Sequence, residues 1–190
     1  PGAKRHGAEF ATNAQKQGAV AVVTDAAGAK LISGIPVLVV ANPRLVAGRI
    51  AALFYGEPMR DLSGVAITGT NGKTTVSMLL HQIFEAAGRD CGLIGTVETR
   101  IGREVIASKR TTPEATDLQA LAAVMKERHM RHLVIEASSH AMTMHRLEGA
   151  HFAIAAFTNL TQDHLDFHGD MESYFLAKAS LFSFSFADLA

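Results

Sequence analysis

The stretch that decides the fold runs over residues 68–75 and reads Thr68-Gly69-Thr70-Asn71-Gly72-Lys73-Thr74-Thr75. The apolar run 65–68 leads into it and predicts a strand, and the amphipathic stretch 73–87 follows it and predicts a helix. Glycines at positions 69 and 72 let backbone N–H groups turn towards an anion, and the helix N-terminus adds its positive dipole end. This order of strand, glycine-rich loop and helix is typical of a phosphate-binding loop.

Two polar side chains at the end of this loop suit a bound triphosphate. The ammonium of Lys73 can reach the β- and γ-phosphates of a nucleotide, and the hydroxyl of Thr74 can ligate Mg²⁺. The strict pattern of such loops has a glycine five residues before Gly72, and this chain has Ile67 there. A glycine-rich turn that only caps the helix is the alternative. We interpret the stretch as a nucleotide site because strand, loop and helix agree.

The rest of the chain alternates short apolar runs with amphipathic stretches. Before residue 60 we predict strands at 19–24 and 37–40 and helices at 8–17 and 43–55. After it we predict strands at 65–68, 91–96, 132–137 and 152–158, a hairpin at 97–107, and helices at 73–87, 113–129, 141–147 and 171–182. Strands separated by helices imply an α/β fold with a parallel sheet and right-handed crossovers.

Further patterns concern the boundaries and faces of these elements. The stretch 56–64 predicts a linker, so we expect two domains, residues 1–60 and 61–190. The alternating tail 182–186 predicts a strand. The helix at 73–87 is predicted to bury the apolar side chains of Val76, Leu79, Leu80, Ile83, Phe84 and Ala87.

The composition excludes several classes of protein. The chain has 190 residues with 18 basic and 18 acidic side chains, so its charge favours neither nucleic acid nor an anionic membrane. The single cysteine, Cys91, rules out an internal disulfide framework and a multi-cysteine zinc site. No run approaches the roughly 18 apolar residues of a membrane span, and the start does not resemble a secretory signal. We therefore expect a soluble, cytoplasmic protein with no nucleic-acid or membrane partner.

Acidic side chains lie at or after the ends of two predicted strands. Glu136 ends the apolar run 133–135, at the strand edge where open α/β sheets bind ligands. Its carboxylate could hold Mg²⁺ opposite Thr74, since hard cations take oxygen ligands; a solvent-facing glutamate is the alternative. The stretch Asp163-His164-Leu165-Asp166-Phe167-His168 follows strand 152–158 and fits either a metal cluster or a hydrated loop.

Lys178 lies on the predicted apolar face of the last helix, together with Met171, Tyr174, Phe175 and Phe182. Lysine is seldom buried unpaired, because removing its ammonium from water is costly and lowers its pKa. One interpretation is an aliphatic stem on the core with the ammonium in water. The other is a partly neutral lysine beside a metal centre, whose amine can react with CO₂ to form a carbamate.

The paired threonines before Pro113 are candidate substrate contacts. Proline favours an extended conformation for the preceding residue, Thr112. The hydroxyls of Thr111 and Thr112 would then project at the start of the following helix. There they could contact a substrate, cap the helix, or do both.

Four stretches, in this order, resemble a known family. Residues 68–75 are similar to the variant phosphate loop of the Mur ligases and of the folylpolyglutamate and cyanophycin synthetases, which join an amine to a carboxylate through an acyl phosphate. Residues 111–114, 136–140 and 163–169 resemble one Mur ligase branch, the UDP-N-acetylmuramoyl-tripeptide synthetases of peptidoglycan biosynthesis. The resemblance implies ATP and Mg²⁺ as cofactors, and UDP-N-acetylmuramoyl-dipeptide and a diamino acid, meso-diaminopimelate or L-lysine, as substrates. We expect a monomer.

The resemblance also implies roles for single residues. The nucleotide would be bound by Gly69, Thr70, Asn71, Gly72, Lys73, Thr74, Thr75 and Asn159. Metal ions would be held by Thr74, Glu136, His164 and Lys178, the last as a carbamate. Catalysis would depend on Lys73, Glu136, His164 and Lys178. The muramoyl-peptide substrate would be contacted by Thr111, Thr112, Ser138 and Arg146. Arg110 and Met144 stand where some members of the family carry asparagine and glutamine.

The resemblance divides the chain in the same way as the linker. Residues 1–56 resemble the later part of a UDP-binding N-terminal domain, with residues 2–5 in its uridine loop, and residues 61–190 an incomplete ATP-binding central domain. The chain starts with Pro1 and ends before the family's C-terminal domain, so we expect a fragment that is inactive alone. Two alternatives remain: a ligase of the folylpolyglutamate or cyanophycin synthetase type, and a non-catalytic nucleotide-binding module. The paired threonines and Ser138-Ser139-His140 argue against the first.

Overall fold

A computed structural model describes residues 5–183 and 185–189 of the chain. The chain divides into two compact units, Pro1–Ala47 and Gly48–Ala190, and the division falls within one helix, Pro43–Phe54. The domain boundary near residue 60 stays a prediction. Residues 2–4 of the predicted uridine loop lie outside the described residues. The last residue of that loop, Arg5, forms an ion pair with Glu9 at 2.6 Å.

The first unit contains a two-stranded parallel sheet. A 3₁₀ turn (Gly7–Phe10) leads into α1 (Ala11–Lys16), followed by β1 (Val22–Thr24), α2 (Ala26–Ala29), β2 (Val37–Val39) and the start of α3 (Pro43–Phe54). Val22 pairs with Val37 in the parallel ladder. Both strands are shorter than predicted. Helix α2, which begins where the Asp25 side chain accepts the N–H of Gly28, was not predicted because four residues carry no helical period.

The second unit alternates strands and helices after a 3₁₀ turn at Pro58–Asp61. Its elements are β3 (Ser63–Thr68), α4 (Lys73–Ala86), β4 (Cys91–Ile94), β5 (Glu98–Ile101), β6 (Glu104–Ala107), α5 (Ala115–Glu127), β7 (His132–Glu136), α6 (Ser139–Thr143), β8 (Phe152–Phe157), α7 (Leu165–His168), α8 (Met171–Ala179) and β9 (Ala187–Leu189). The predicted order of strands and helices is confirmed, and the short helix α7 is added to it.

In the described part of the chain, seven strands form one sheet in the order β6-β5-β4-β7-β3-β8-β9. Strands β4, β7, β3, β8 and β9 run parallel, and β5 and β6 form an antiparallel hairpin at one edge. The predicted α/β fold with a parallel sheet is therefore confirmed. Strand β3 lies between β7 and β8, so three carboxyl ends meet at one crevice, where open α/β sheets bind ligands.

The predicted apolar face of α4 is only partly right. Leu80 and Phe84 pack against the core cluster that contains Ile67 and Val134. Three other predicted members, Val76, Leu79 and Ile83, are exposed, and Ala87 lies beyond the helix end. Ser77 and His81 are buried in their place. The helix turns this more polar line to the sheet because Ser77 reaches Glu136 at the end of β7, a tertiary contact that apolar periodicity cannot reveal.

The end of the chain differs from the prediction in one respect. A strand at 182–186 is wrong: Phe182 ends a 3₁₀ turn, and the strand begins only at Ala187, which pairs with Phe152 of β8. The ladder to β8 starts there because the N–H of Phe152 donates to the carbonyl of Phe186 at 2.7 Å. Residue 184 of the predicted strand lies outside the described residues.

Candidate active site

The phosphate loop connects β3 to α4 with two glycines in conformations that other residues avoid. Gly69 has φ +137° and Gly72, the N-cap of α4, has φ +84°. A Cβ on Gly69 would lie 1.9 Å from the hydroxyl oxygen of Thr158, so the loop packs directly on the segment after β8. Thr75 follows, exposed in the first turn of α4. The loop therefore has the turn and the helix N-terminus that anion binding requires.

The segment after β8 holds the loop through hydrogen bonds. The N–H of Thr70 donates to the carbonyl of Asn159 at 2.8 Å, and the N–H of Asn71 donates to Asn159 Oδ1 at 3.1 Å. The carbonyl of Asn71 accepts from Thr158 Oγ1 at 2.6 Å and from Asn159 Nδ2 at 3.1 Å. Asn159 thus lies against the loop, and its contact with nucleotide stays a prediction.

Two lysine ammonium groups share one carbonyl of the loop. Lys73 Nζ donates to the carbonyls of Gly69 at 2.8 Å and Thr70 at 2.9 Å, and Lys178 Nζ donates to that of Gly69 at 2.8 Å. Lys178 is only 1% exposed, so its ammonium is buried rather than in water. Burial and then the charge of Lys73 lower the pKa of Lys178 to about 8. Burial also lowers the pKa of Lys73, although the nearby charges of Glu136 and Asp163 oppose this.

Glu136, at the end of β7, is the centre of an oxygen-rich cluster. Its Oε2 atom accepts from Thr74 Oγ1 at 3.0 Å and from Thr96 Oγ1 at 2.8 Å, while its Oε1 atom accepts from the N–H of Thr96 at 3.0 Å. A buried carboxylate needs such donors. Hydroxyl and carboxylate oxygens are the ligands that Mg²⁺ prefers, so this donor set fits the metal predicted at Thr74 and Glu136.

Sequence reasoning missed Thr96. It follows β4, a parallel neighbour of β7, so its side chain emerges at the same edge of the sheet as Glu136. Carboxyl ends of adjacent parallel strands meet, and a hydroxyl residue two positions after the end of β4 was a usable signal. Thr96 Oγ1 also lies 3.0 Å from Thr111 Oγ1, which links the predicted metal cluster to the predicted substrate threonines.

A methyl group on Gly95 is expected to displace the Glu136 carboxylate. A Cβ there would lie 2.5 Å from Glu136 Oε1, and the backbone of Gly95 has no positive φ that would add strain. We expect Gly95→Ala to weaken Mg²⁺-dependent ATP binding about tenfold, roughly 1.4 kcal/mol, measured by calorimetry.

Gly92→Ala is the matched control for this prediction. Its added Cβ would meet the flexible end of Met125, at 2.6 Å from the sulfur, away from Glu136. This variant should keep the affinity for ATP and Mg²⁺. Equal affinities for both variants would contradict a role of the Glu136 carboxylate in the site.

His164 is half exposed, and its contacts are to residues other than Glu136. Its Nε2 atom is 3.4 Å from Asp163 Oδ2, and its ring meets that of His140 edge-on with centroids 4.7 Å apart. His164 and Lys178 both border Tyr174: the His164 ring centroid and Lys178 Nζ are 6.3 and 4.5 Å from the Tyr174 ring centroid. Within residues 5–183 and 185–189, no three His, Cys, Asp or Glu side chains form a metal cluster. The second metal ion stays a prediction.

The predicted substrate residues lie beside this cluster. Thr112 is fully buried, and its hydroxyl donates to the carbonyl of Glu136 at 2.7 Å and accepts the N–H of Ser138 at 3.1 Å. Ser138 Oγ caps α6 by accepting the N–H of Ala141 at 3.2 Å. Arg146 Nη1 approaches the carbonyl of Thr112 at 3.4 Å.

Helix capping by the threonine pair is wrong. The N-cap of α5 is Glu114, whose side chain makes no cap hydrogen bond. Instead Glu114 Oε1 lies 3.1 Å from Arg146 Nη2 and 3.6 Å from Arg110 Nη1. Two guanidinium groups therefore gather around the Glu114 carboxylate, close in sequence to Thr111 and Thr112.

Comparison with known proteins identifies the family. Residues 67–188 match the Mur ligase middle domain. The chain belongs to the Mur ligase family. It is 55% identical over 185 residues to the UDP-N-acetylmuramoyl-L-alanyl-D-glutamate–2,6-diaminopimelate ligase of Streptomyces avermitilis. The aligned region covers 96% of this chain and 36% of that relative. Identity to the ligase of the same name from Corynebacterium glutamicum is 48% over 186 residues, again 96% of the chain and 36% of the relative.

A solved structure agrees with this membership of the Mur ligases. A UDP-N-acetylmuramoyl-L-alanyl-D-glutamate–2,6-diaminopimelate ligase superposes with a TM-score of 0.78 and 31% identity, over 96% of this chain and 37% of that one. The chain thus spans about a third of the length of the Mur ligases it matches. None of the helices in its described part has both the length and the apolar character needed to cross a membrane.

Proposed function

We propose that the chain forms part of an ATP-dependent ligase that adds a diamino acid to UDP-N-acetylmuramoyl-L-alanyl-D-glutamate in peptidoglycan biosynthesis. The observation that carries the proposal is the meeting of the phosphate loop with the Glu136 carboxylate, where Thr74 Oγ1 and Glu136 Oε2 are 3.0 Å apart. The names of relatives up to 55% identical support 2,6-diaminopimelate as the amino acid. A monomer in the cytoplasm stays a prediction.

The side chains divide the work by position and charge. Lys73 and the N–H groups of the loop would bind the β- and γ-phosphates of ATP. Bound Mg²⁺ would supply charge neutralisation beside Thr74, Thr96 and Glu136. Arg146 would orient a carboxylate of the acidic substrate, so that another carboxylate attacks the γ-phosphorus, an O–P bond forms and ADP leaves. The amine of the diamino acid then displaces phosphate from the acyl phosphate.

The test uses the full-length ligase that carries this chain. Phosphate release should require ATP, Mg²⁺, UDP-N-acetylmuramoyl-L-alanyl-D-glutamate and 2,6-diaminopimelate together. Parallel assays replace 2,6-diaminopimelate by L-lysine, or supply a folate and glutamate as the two substrates. Preference for L-lysine would change the proposed amino acid, and turnover with the folate would favour the related ligase type. Stoichiometric ATP binding without amine-dependent phosphate release would favour a non-catalytic module.

We further propose that Lys178 carries a carbamate in the active ligase. Its amine and CO₂ would form a carbamate and release one proton, which requires the neutral amine. Because the pKa of Lys178 is lowered to about 8, the neutral fraction becomes substantial as pH rises through 8 rather than through 10.5.

We expect a ¹³C carbamate resonance in the chain incubated with ¹³C-labelled CO₂. Its intensity should rise with pH through about 8 at constant dissolved CO₂. Lys178→Arg, which keeps the positive charge but cannot form the carbamate, should lack the signal. Lys16→Arg, at an exposed position, is the control and should keep it. A signal of equal intensity in Lys178→Arg would exclude Lys178 as the site.

A further inference from the structure

Two side chains of helix α8, one turn apart, form hydrogen bonds with the phosphate loop. Lys178 Nζ donates to the carbonyl of Gly69 at 2.8 Å, and the hydroxyl of Tyr174 lies 3.0 Å from Thr70 Oγ1. Tyr174 is fully buried. A buried phenol without a hydrogen-bond partner is destabilising, so its contact to Thr70 is an essential part of the packing of this helix.

The hydrogen bonds of Thr70 assign a direction to this contact. Thr70 Oγ1 accepts the N–H of Thr161 at 3.0 Å and donates to the carbonyl of Thr161 at 3.1 Å. A threonine hydroxyl has one proton, so Tyr174 is the donor whenever Thr70 donates to Thr161. Thr70 is therefore fixed from two sides, by the segment before α7 and by α8.

Thr70 also supplies a backbone carbonyl that Lys73 contacts. The N–H of Thr70 donates to the carbonyl of Asn159 at 2.8 Å, and its carbonyl accepts from Lys73 Nζ at 2.9 Å. We propose that Tyr174 is a positioning residue for the phosphate loop, whose hydroxyl orients Thr70 and thereby sets where Lys73 and the loop N–H groups meet a triphosphate. This inference rests on the proposed nucleotide site.

A purely space-filling role for Tyr174 makes a different prediction. Its ring neighbours Lys178 Nζ at 4.5 Å and the ring of His168 at 5.2 Å between centroids, and a phenylalanine ring would fill the same space. Only the hydroxyl distinguishes positioning from packing. The informative substitutions therefore remove one hydroxyl at a time and keep the shape of the side chain.

The test is a double-mutant cycle in the 190-residue chain, with the dissociation constant for MgATP and the thermal midpoint measured for each variant. We expect Tyr174→Phe and Thr70→Val each to raise the dissociation constant for MgATP about tenfold. The double variant should have a dissociation constant no higher than that of the single variant with the larger effect. Thr70→Ser, which keeps the hydroxyl, should bind at least about fivefold more tightly than Thr70→Val. The control is Tyr55→Phe, at the other tyrosine of the chain, which should bind like the wild type.

The outcomes separate this inference from the proposed function. If the wild-type chain does not bind MgATP, the nucleotide site itself fails. If it binds and Tyr174→Phe stays within twofold of it, or the single effects multiply in the double variant, the positioning role is wrong. A loss of affinity that only follows the unfolded fraction at the assay temperature would also overturn it. Should Tyr174→Phe not fold, Thr70→Val against Thr70→Ser tests whether the Thr70 hydroxyl, which bonds both Tyr174 and Thr161, sets the affinity. Equal affinities in these two variants would overturn the positioning role.

Discussion

Lys73→Ala is expected to abolish ligation by the full-length ligase, leaving less than about a tenth of the wild-type rate, because positioning terms are worth several kcal/mol. Lys73 opens helix α4, and its ammonium already lies over the loop, 2.8 Å from the carbonyl of Gly69. The same ammonium is the group that would bind the β- and γ-phosphates. The variant removes that charge from a helix start whose loop N–H groups remain in place.

Two further variants identify the cause of such a loss. Lys73→Met keeps the length of the side chain without its charge and should lose as much activity as Lys73→Ala. Lys16→Ala, at an exposed position, should ligate like the wild type. The rate of phosphate release at saturating ATP is the measurement. More than about a tenth of the wild-type rate in Lys73→Ala would refute the assignment of the loop.

The loop and the sheet could be predicted from the sequence because they depend on local signals. Glycine at positions 69 and 72 indicates backbone with positive φ, and both residues have a positive φ. Apolar runs bounded by turns predicted the parallel strands. Lys178 on an apolar face left two interpretations open, and the one with its ammonium in water is wrong. These features need only the chemistry of neighbouring residues and the periods of strand and helix.

The remaining features depend on contacts between distant residues. The network that joins Thr70 to Tyr174 crosses 104 positions, and that from Thr96 to Glu136 crosses 40. The buried line of α4 carries Ser77 because the helix lies over Glu136, which apolar periodicity cannot reveal. The sequence therefore did not reveal Ser77 and Thr96, two polar residues that contact Glu136. Rules based on local sequence fail first at a functional site.

Gly69→Ala is expected to remove ATP binding and to destabilise the fold by about 3 kcal/mol or more. Two effects add at this position. The φ of +137° is one that side-chain-bearing residues rarely adopt, and the new Cβ would lie 1.9 Å from Thr158 Oγ1 and 3.1 Å from the backbone nitrogen of Asn159. Relief of the clash must separate the loop from the segment after β8, which breaks the hydrogen bonds that hold it.

Two other glycines separate strain from steric clash. Gly102, in the hairpin turn, has φ +61° with nothing near its Cβ position, so Gly102→Ala should cost about 1 kcal/mol and leave ATP affinity unchanged. Gly72 has φ +84° with its nearest neighbours at 4.0 Å, so Gly72→Ala should add strain within the loop without a clash. Chemical denaturation and MgATP calorimetry should rank the losses Gly69, Gly72, Gly102. Equal losses in all three variants would mean that backbone strain alone explains the effect and that the contact of the loop with Thr158 is dispensable.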